Sequence, residues 1–368
     1  MTTRDLLRAA TGVLLVLLTG AAAPAAAQQP DCAPCHLAQT SAAVRRHEPL
    51  GCQTCHDLSA RDSAPAGDSV TTAGDTVPRP PHPPRPPLQA GSALCTMCHS
   101  GGVIDAALRH VPDSLGACTA CHDPHGSSTE AMLRRAGTDL CLGCHRALRD
   151  SVRLSRVTHG ALRTADGCLG CHDPHAEGRS TLFRADQPAM CLSCHDRAYV
   201  MGRRRVRDVG REIREATTVH FPVEAGPCTF CHAPHASRRE RLLTDAFEVR
   251  VYADFSPRAY GLCLQCHASI ADTSATAETG FRNGPVNLHA VHLREPGRNR
   301  SCYTCHAVHG AANPALVRAS VPFGSWMLPL GFVPGANGGR CAPGCHTAAT
   351  YVPGPPPVTG GPVREELR

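Results

Sequence analysis

The chain has 368 residues and a formal net charge of +6, and its aromatic share is only 4% against 33 Gly, 32 Pro and 22 Cys. So few large apolar side chains and so many turn formers exclude an ordinary self-sufficient core. Such a polypeptide either stays unfolded or condenses around something that is not polypeptide.

In chain order, the first predicted element is a secretory leader over residues 1–27. Arg4 and Arg8 form its positive end, Ala9 to Leu18 its short apolar stretch, and Ala25-Ala26-Ala27 before Gln28 a small-residue cleavage site. The apolar run is too short to span a bilayer, and no later segment is apolar enough to cross one. The expected product is an exported protein, periplasmic or extracellular, with no transmembrane segment once the leader is removed. The rest divides into an N-terminal segment (28–77), a Pro-rich linker (78–90), a long cysteine-bearing repeat region (91–346) and a Pro/Gly-rich tail (347–368).

Ten copies of C-x-x-C-H punctuate these segments. They are Cys32-Cys35-His36 and Cys52-Cys55-His56 in the N-terminal segment, then Cys95-Cys98-His99, Cys118-Cys121-His122, Cys141-Cys144-His145 and Cys168-Cys171-His172. Cys191-Cys194-His195, Cys228-Cys231-His232, Cys263-Cys266-His267 and Cys302-Cys305-His306 follow. An eleventh copy, Cys341-Ala342-Pro343-Gly344-Cys345-His346, carries one extra residue between its cysteines, and together the copies use all 22 cysteines. C-x-x-C-H is the signature of c-type haem attachment: two thiols add to the vinyl edge of the porphyrin, and the adjacent His lies under the iron as proximal ligand. Zinc ribbons need no His beside every second Cys. Redox thiols do not come eleven to a chain, and a disulfide scaffold does not require this spacing. The cofactor expected is haem c, about eleven per chain, covalently attached.

Eleven further histidines match the eleven irons in number: His47, His82, His110, His125, His159, His175, His220, His235, His289, His292 and His309. Most recur in register. A His precedes the first motif of each repeat (His47, His110, His159, His220, His292), and in four repeats a second His follows the attachment His by three residues, as in His122-Asp123-Pro124-His125. A second attachment motif then completes each of five two-haem repeats, with one extra haem at Cys32. Three residues of chain span at most about 10 Å, too little to round the ring edge, so the second His cannot return to its own iron. Its expected target is a neighbouring haem. The first repeat lacks this His, having Asp57-Leu58-Ser59 instead, and leaves only His82, inside an extended polyproline stretch. His289 and His292 compete as the upstream His of the last repeat, the spare one being free for the Cys32 haem.

A helix is expected over Arg203 to Ala216, where Val206, Val209 and Ile213 share a face, and single helical turns within Glu130 to Arg149. The fold class is mostly irregular with short α-helices and little β, built of tandem two-haem repeats packed around covalently bound haems. The insert over 312–340, with Trp326, Phe323, Met327 and Phe332, reads as cover for a haem face. Haem propionates, two per site, would reverse the positive charge and remove any case for nucleic acid as a partner.

Units such as Cys168-Leu169-Gly170-Cys171-His172-Asp173-Pro174-His175 followed by Cys191-Leu192-Ser193-Cys194-His195 resemble the doubled-CXXCH-motif multihaem cytochromes c, of the cytochrome c3 and c7 type. The resemblance spans about residues 47 to 346. It implies bis-His low-spin haems carrying electrons in the periplasm or outside the cell, with no catalytic residue and no substrate chemistry. The implied partners are redox proteins, among them other multihaem cytochromes or an outer-membrane porin. Two other functions fit the motifs: a nitrogen- or sulfur-oxyanion reductase with one open haem, and a subunit of an outer-membrane or extracellular conduit.

Overall fold

A computed structural model of the chain describes residues 47, 49–57, 69–72, 75–78, 92–99, 110, 117–175, 182–272, 274, 277, 279–297 and 299–354. The leader, Cys32, Cys35, His36, His82 and most of the Pro-rich linker lie outside the described residues, as does the tail beyond 354.

Helices are short: α1 (Ser92–Thr96), α2 (Gly137–Cys144), α3 (Arg146–Leu154), α4 (Gln187–His195), α5 (Val209–Arg214), α6 (Phe221–Glu224), α7 (Gly261–Leu264), α8 (Leu288–Arg294) and α9 (Cys302–Cys305). The attachment motifs explain most of them. In eight copies the His N–H donates to the carbonyl of the first Cys, four residues back, at 2.9–3.1 Å (from His56 to Cys52 through His306 to Cys302). One helical turn therefore closes over each of these eight motifs and sets the two thiols on one side of it.

Two of the expected elements differ. The helix over 203–216 is confined to α5, because Gly202, at φ +60°, turns a hairpin of β4 (Tyr199–Met201) on β5 (Arg204–Val206), and Asp208 then caps the helix through Arg211 N at 2.8 Å. Residues 130–149, expected as isolated turns, hold all of α2 and the start of α3.

Strand is more plentiful than "little β" suggests. β1 (Ser69–Thr72) pairs with β2 (Asp75–Pro78), and β8 (Arg282–Asn283) with β9 (Val286–Asn287). Two ladders join distant repeats: β3 (Val157–Thr158) with β7 (Ala236–Ser237), and β6 (Thr218–Val219) with β10 (Gly310–Ala311). The C-terminal part is β throughout, as a hairpin of β11 (Ser320–Phe323) on β12 (Trp326–Pro329) and a sheet in the order β13 (Val333–Gly335), β14 (Gly338–Cys341), β15 (Ala349–Tyr351). Trp326 on the hairpin is 77% exposed to the space around the polypeptide.

The buried apolar set among the described residues is sparse and scattered, from Met132 and Val157 to Tyr260, Leu293 and Val321. No single core unites them. What recurs along the chain instead is the histidines.

Candidate functional site

Ten pairs of histidines face each other, each joining an attachment His to a second His from elsewhere in the chain. The pairs are His56–His125, His99–His47, His122–His175, His145–His110 and His172–His235, then His195–His159, His232–His309, His267–His220, His306–His289 and His346–His292. Ring centres are 5.9–6.4 Å apart in every pair. The two remaining histidines, His36 and His82, are outside the described residues.

That spacing tests the fit of a haem. A metal–imidazole bond of about 2.0 Å, plus about 1.1 Å from nitrogen to ring centre, sets two axial rings about 6 Å apart across one iron. In eight pairs the ring planes are within 25° of parallel; His47–His99 and His292–His346 are turned by 61° and 43°. The twenty described cysteines are free thiols. Among the described residues no group of three or more His, Cys, Asp or Glu comes together as a closed metal cage would require. The Tyr260 hydroxyl, close to the Cys263 and Cys302 thiols, is buried without a hydrogen-bond partner. Paired axial donors, free thiols and an orphaned hydroxyl all fit an attached haem.

The pairing follows a rule. The His upstream of a repeat faces the second attachment His of that same repeat, as His159 faces His195 and His220 faces His267. The His three residues beyond an attachment motif faces the first attachment His of the preceding repeat, as His235 faces His172 and His309 faces His232. The two kinds are tied together by backbone. His159 N donates to His235 O and His220 N to His309 O, both at 3.0 Å, in line with the β3–β7 and β6–β10 ladders. The imidazoles are tied as well: His47 Nδ1 donates to Pro124 O at 3.1 Å and His220 Nδ1 to Val308 O at 3.0 Å, each the carbonyl just before the neighbouring His. Each repeat thus supplies the His that faces its own second attachment ring, and the following repeat supplies the one that faces its first.

The last repeat has no successor, and α8 takes that role. Its His289 and His292, three apart on one helix face, face His306 and His346. His289 is therefore not spare for the Cys32 site. Thr279 Oγ1 lies 2.8 Å from His289 Nδ1 and Leu288 O 2.8 Å from His292 Nδ1. Burial drives the His289 pKa down to about 4, with the neighbouring His306 and His292 adding to it, so the ring is neutral, with a lone pair to give a metal.

A further device goes beyond the attachment motifs themselves. His122 Nδ1 donates to Ala131 O at 2.8 Å, His232 Nδ1 to Arg241 O at 2.9 Å and His306 Nδ1 to Ala315 O at 2.8 Å. Each acceptor has a positive φ, of 54°, 58° and 51°, and so does the residue after it. Bridges His122–Leu133, His172–Phe183, His232–Leu243 and His306–Val317 hold the strap in place. A donor bond at Nδ1 leaves Nε2 as the ligating nitrogen. The signal lay in the sequence as an apolar pair ten and eleven residues after each His, Met132-Leu133, Leu182-Phe183, Leu242-Leu243 and Leu316-Val317.

Thiols of neighbouring motifs also meet. Cys95 shares a hydrogen bond with Cys118, Cys141 with Cys168, Cys191 with Cys228 and Cys263 with Cys302. Within the Cys191–Cys228 pair a shared hydrogen bond pushes the Cys191 thiol up and holds Cys228 down. Each of these bonds joins the second motif of one repeat to the first motif of the next, so the four link five repeats in sequence order. At the last motif the extra residue removes the helical turn: Cys341 closes β14, and Ala342 N and Gly344 N donate to Gly331 O and Pro329 O.

The family described as "Doubled CXXCH motif" matches residues 110–150. The family described as "Outer membrane cytochrome MtrC/MtrF-like, domains II/IV" matches residues 135–317, just under half of the chain. No curated protein matches the chain.

Proposed function

The chain belongs to the multihaem c-type cytochromes, electron-transfer proteins that hold haem c covalently, and from that premise we propose that it carries electrons along a single file of eleven bis-His haems. Each haem, once attached, supplies an iron that accepts and releases one electron. The protein's own residues do the rest. Twenty-two cysteines tether the porphyrins, eleven adjacent histidines take the proximal positions, and His47, His110, His125, His159, His175, His220, His235, His289, His292 and His309 take the distal ones, with His82 left for the Cys32 site.

The observation that carries this reading is the constant 5.9–6.4 Å separation of ten histidine pairs along the repeats. With both axial positions filled, such sites exchange electrons and bind no substrate. Residues 28–346 form the array, behind an exported leader over 1–27, and the protein works in the periplasm or outside the cell. Pyridine haemochrome analysis with intact mass should give eleven haems, and ferric EPR should be low-spin throughout. Fewer than ten haems, or several high-spin sites, would overturn the reading.

A conduit role is favoured within it by the likeness of residues 135–317 to an outer-membrane cytochrome family. Among the described residues no helix is long and apolar enough to cross a membrane, so the proposed conduit docks on a partner cytochrome or a porin. Co-purification with such a partner tests this. A reductase reading rests on the first repeat, whose Asp57-Leu58-Ser59 lacks the His that other repeats turn toward the preceding site. A single high-spin ferric haem would favour it.

A further inference from the structure

Most distal and proximal imidazoles with a described Nδ1 partner meet a neutral group, a carbonyl or the Thr279 hydroxyl. His309 differs: its Nδ1 lies 3.2 Å from Glu212 Oε2, a carboxylate oxygen brought in from α5 across 97 residues of sequence. Both side chains are mostly shielded, at 20% and 29% exposure. His125 has Asp123 nearby, but at 3.6 Å, with both side chains more exposed.

The contact is built by packing. α5 lies against β10, and Gly310 sits where an added Cβ would come within 2.6 Å of the Ala216 Cβ. Only a glycine after His309 lets the end of α5 come so near. Asp208 is engaged at the helix N-cap with Arg211 N, and Arg207 bonds the other oxygen of Glu212. Glu212 is thus held from both sides, by the Arg207 guanidinium and the His309 imidazole.

We propose that Glu212 is a positioning residue that, through His309, lowers the reduction potential of one haem in the array, the one between His232 and His309. The inference rests on the reading of facing histidines as axial ligands. A carboxylate on Nδ1–H makes a stronger, charge-assisted hydrogen bond than a carbonyl does and raises the basicity of the imidazole. A more basic ligand, with a negative charge behind it, favours ferric iron. Of the ten described sites in sequence order this is the seventh. It is harder to reduce than the same site would be with a neutral acceptor on His309.

The test is optical potentiometry of the holoprotein, parent against Glu212→Gln and Arg207→Gln. The Glu212→Gln change keeps an acceptor for His309 and loses the charge, whereas Arg207→Gln removes the cation that competes for the carboxylate. One site's share of the absorbance change should move to higher potential in E212Q and to lower potential in R207Q, with the other components superimposed on the parent. Haem content and the low-spin spectrum should be unchanged, and these separately check the axial-ligand reading. Titrations that superimpose on the parent, or that shift in the same direction in both variants, overturn the proposal. Should E212Q mature without its full haem complement, R207Q decides alone: a one-site shift downward supports the proposal, and none defeats it.

Discussion

At the level of single residues, the distal histidines are defined by which ring they face. His125 lies three residues from His122 yet stands opposite His56, two motifs earlier in the row. His125→Ala should therefore open the site at Cys52–Cys55 and leave that at Cys118–Cys121 closed. EPR of the oxidised variant should show one high-spin site at unchanged haem content. The strap carbonyls set a different test. Ala315, exposed and at φ 51°, holds its carbonyl on His306 in a conformation that L-residues disfavour by about 1–2 kcal/mol. Ala315→Gly should raise stability by about 1 kcal/mol, read as a higher melting temperature with the spectrum unaltered. The cysteines and their adjacent histidines were legible because C-x-x-C-H is a local motif, a single helical turn. The carbonyl on Nδ1 was not, because its cue is a pair of apolar residues at a fixed distance, which looks like any short hydrophobic step.

Among the elements, helix length is not what matters. α8 has seven residues and carries both histidines that face the attachment rings of the last repeat. Its N-cap is Asn287, almost wholly buried, whose side chain accepts from Ala290 N at 3.2 Å and donates to Ser274 O at 3.1 Å. Asn287→Ala should cost about 1–2 kcal/mol, and because His289 and His292 ride on the same turn, loosening should affect the His306 and His346 sites together. Scanning calorimetry gives the first quantity; the width of the corresponding low-spin EPR signals gives the second. The expected helix over 203–216 shortened to α5 for a related reason. Its first residues gain more as a hairpin around Gly202, and capping by Asp208 then points Glu212 toward His309.

For the molecule as a whole, repeats that complete one another make stability a property of the row. Neighbouring units share ladders and facing histidines, as in other arrays stabilised chiefly by nearest-neighbour interfaces. Eight of the paired imidazoles, His159, His195, His220, His232, His235, His289, His292 and His306, have lowered pKa values, with burial the main cause in each. A lowered value means that the unfolded chain takes up protons that the folded chain refuses. Stability is then greatest above the ordinary histidine value of 6.5 and is lost as pH falls toward about 4, the value for His289. Iron on Nε2 acts in the same direction. Melting temperature measured from pH 7.5 downward should drop through this window, and a flat profile would contradict the assignment of these rings as buried and neutral.

The motifs were readable from spacing alone. Eleven C-x-x-C-H-type copies, a matching number of second histidines and a two-motif repeat are all local patterns, each motif lying within five or six consecutive residues. Which ring meets which, the order of the sites, the strap carbonyls, the closing role of α8 and the Glu212 contact emerge only on folding. Those depend on ladders and packing between residues as many as 97 apart. The three-residue spacing already turned the second His away from its own site, but which neighbour it meets leaves no local mark, because the attachment histidines are equivalent to one another until the chain has folded.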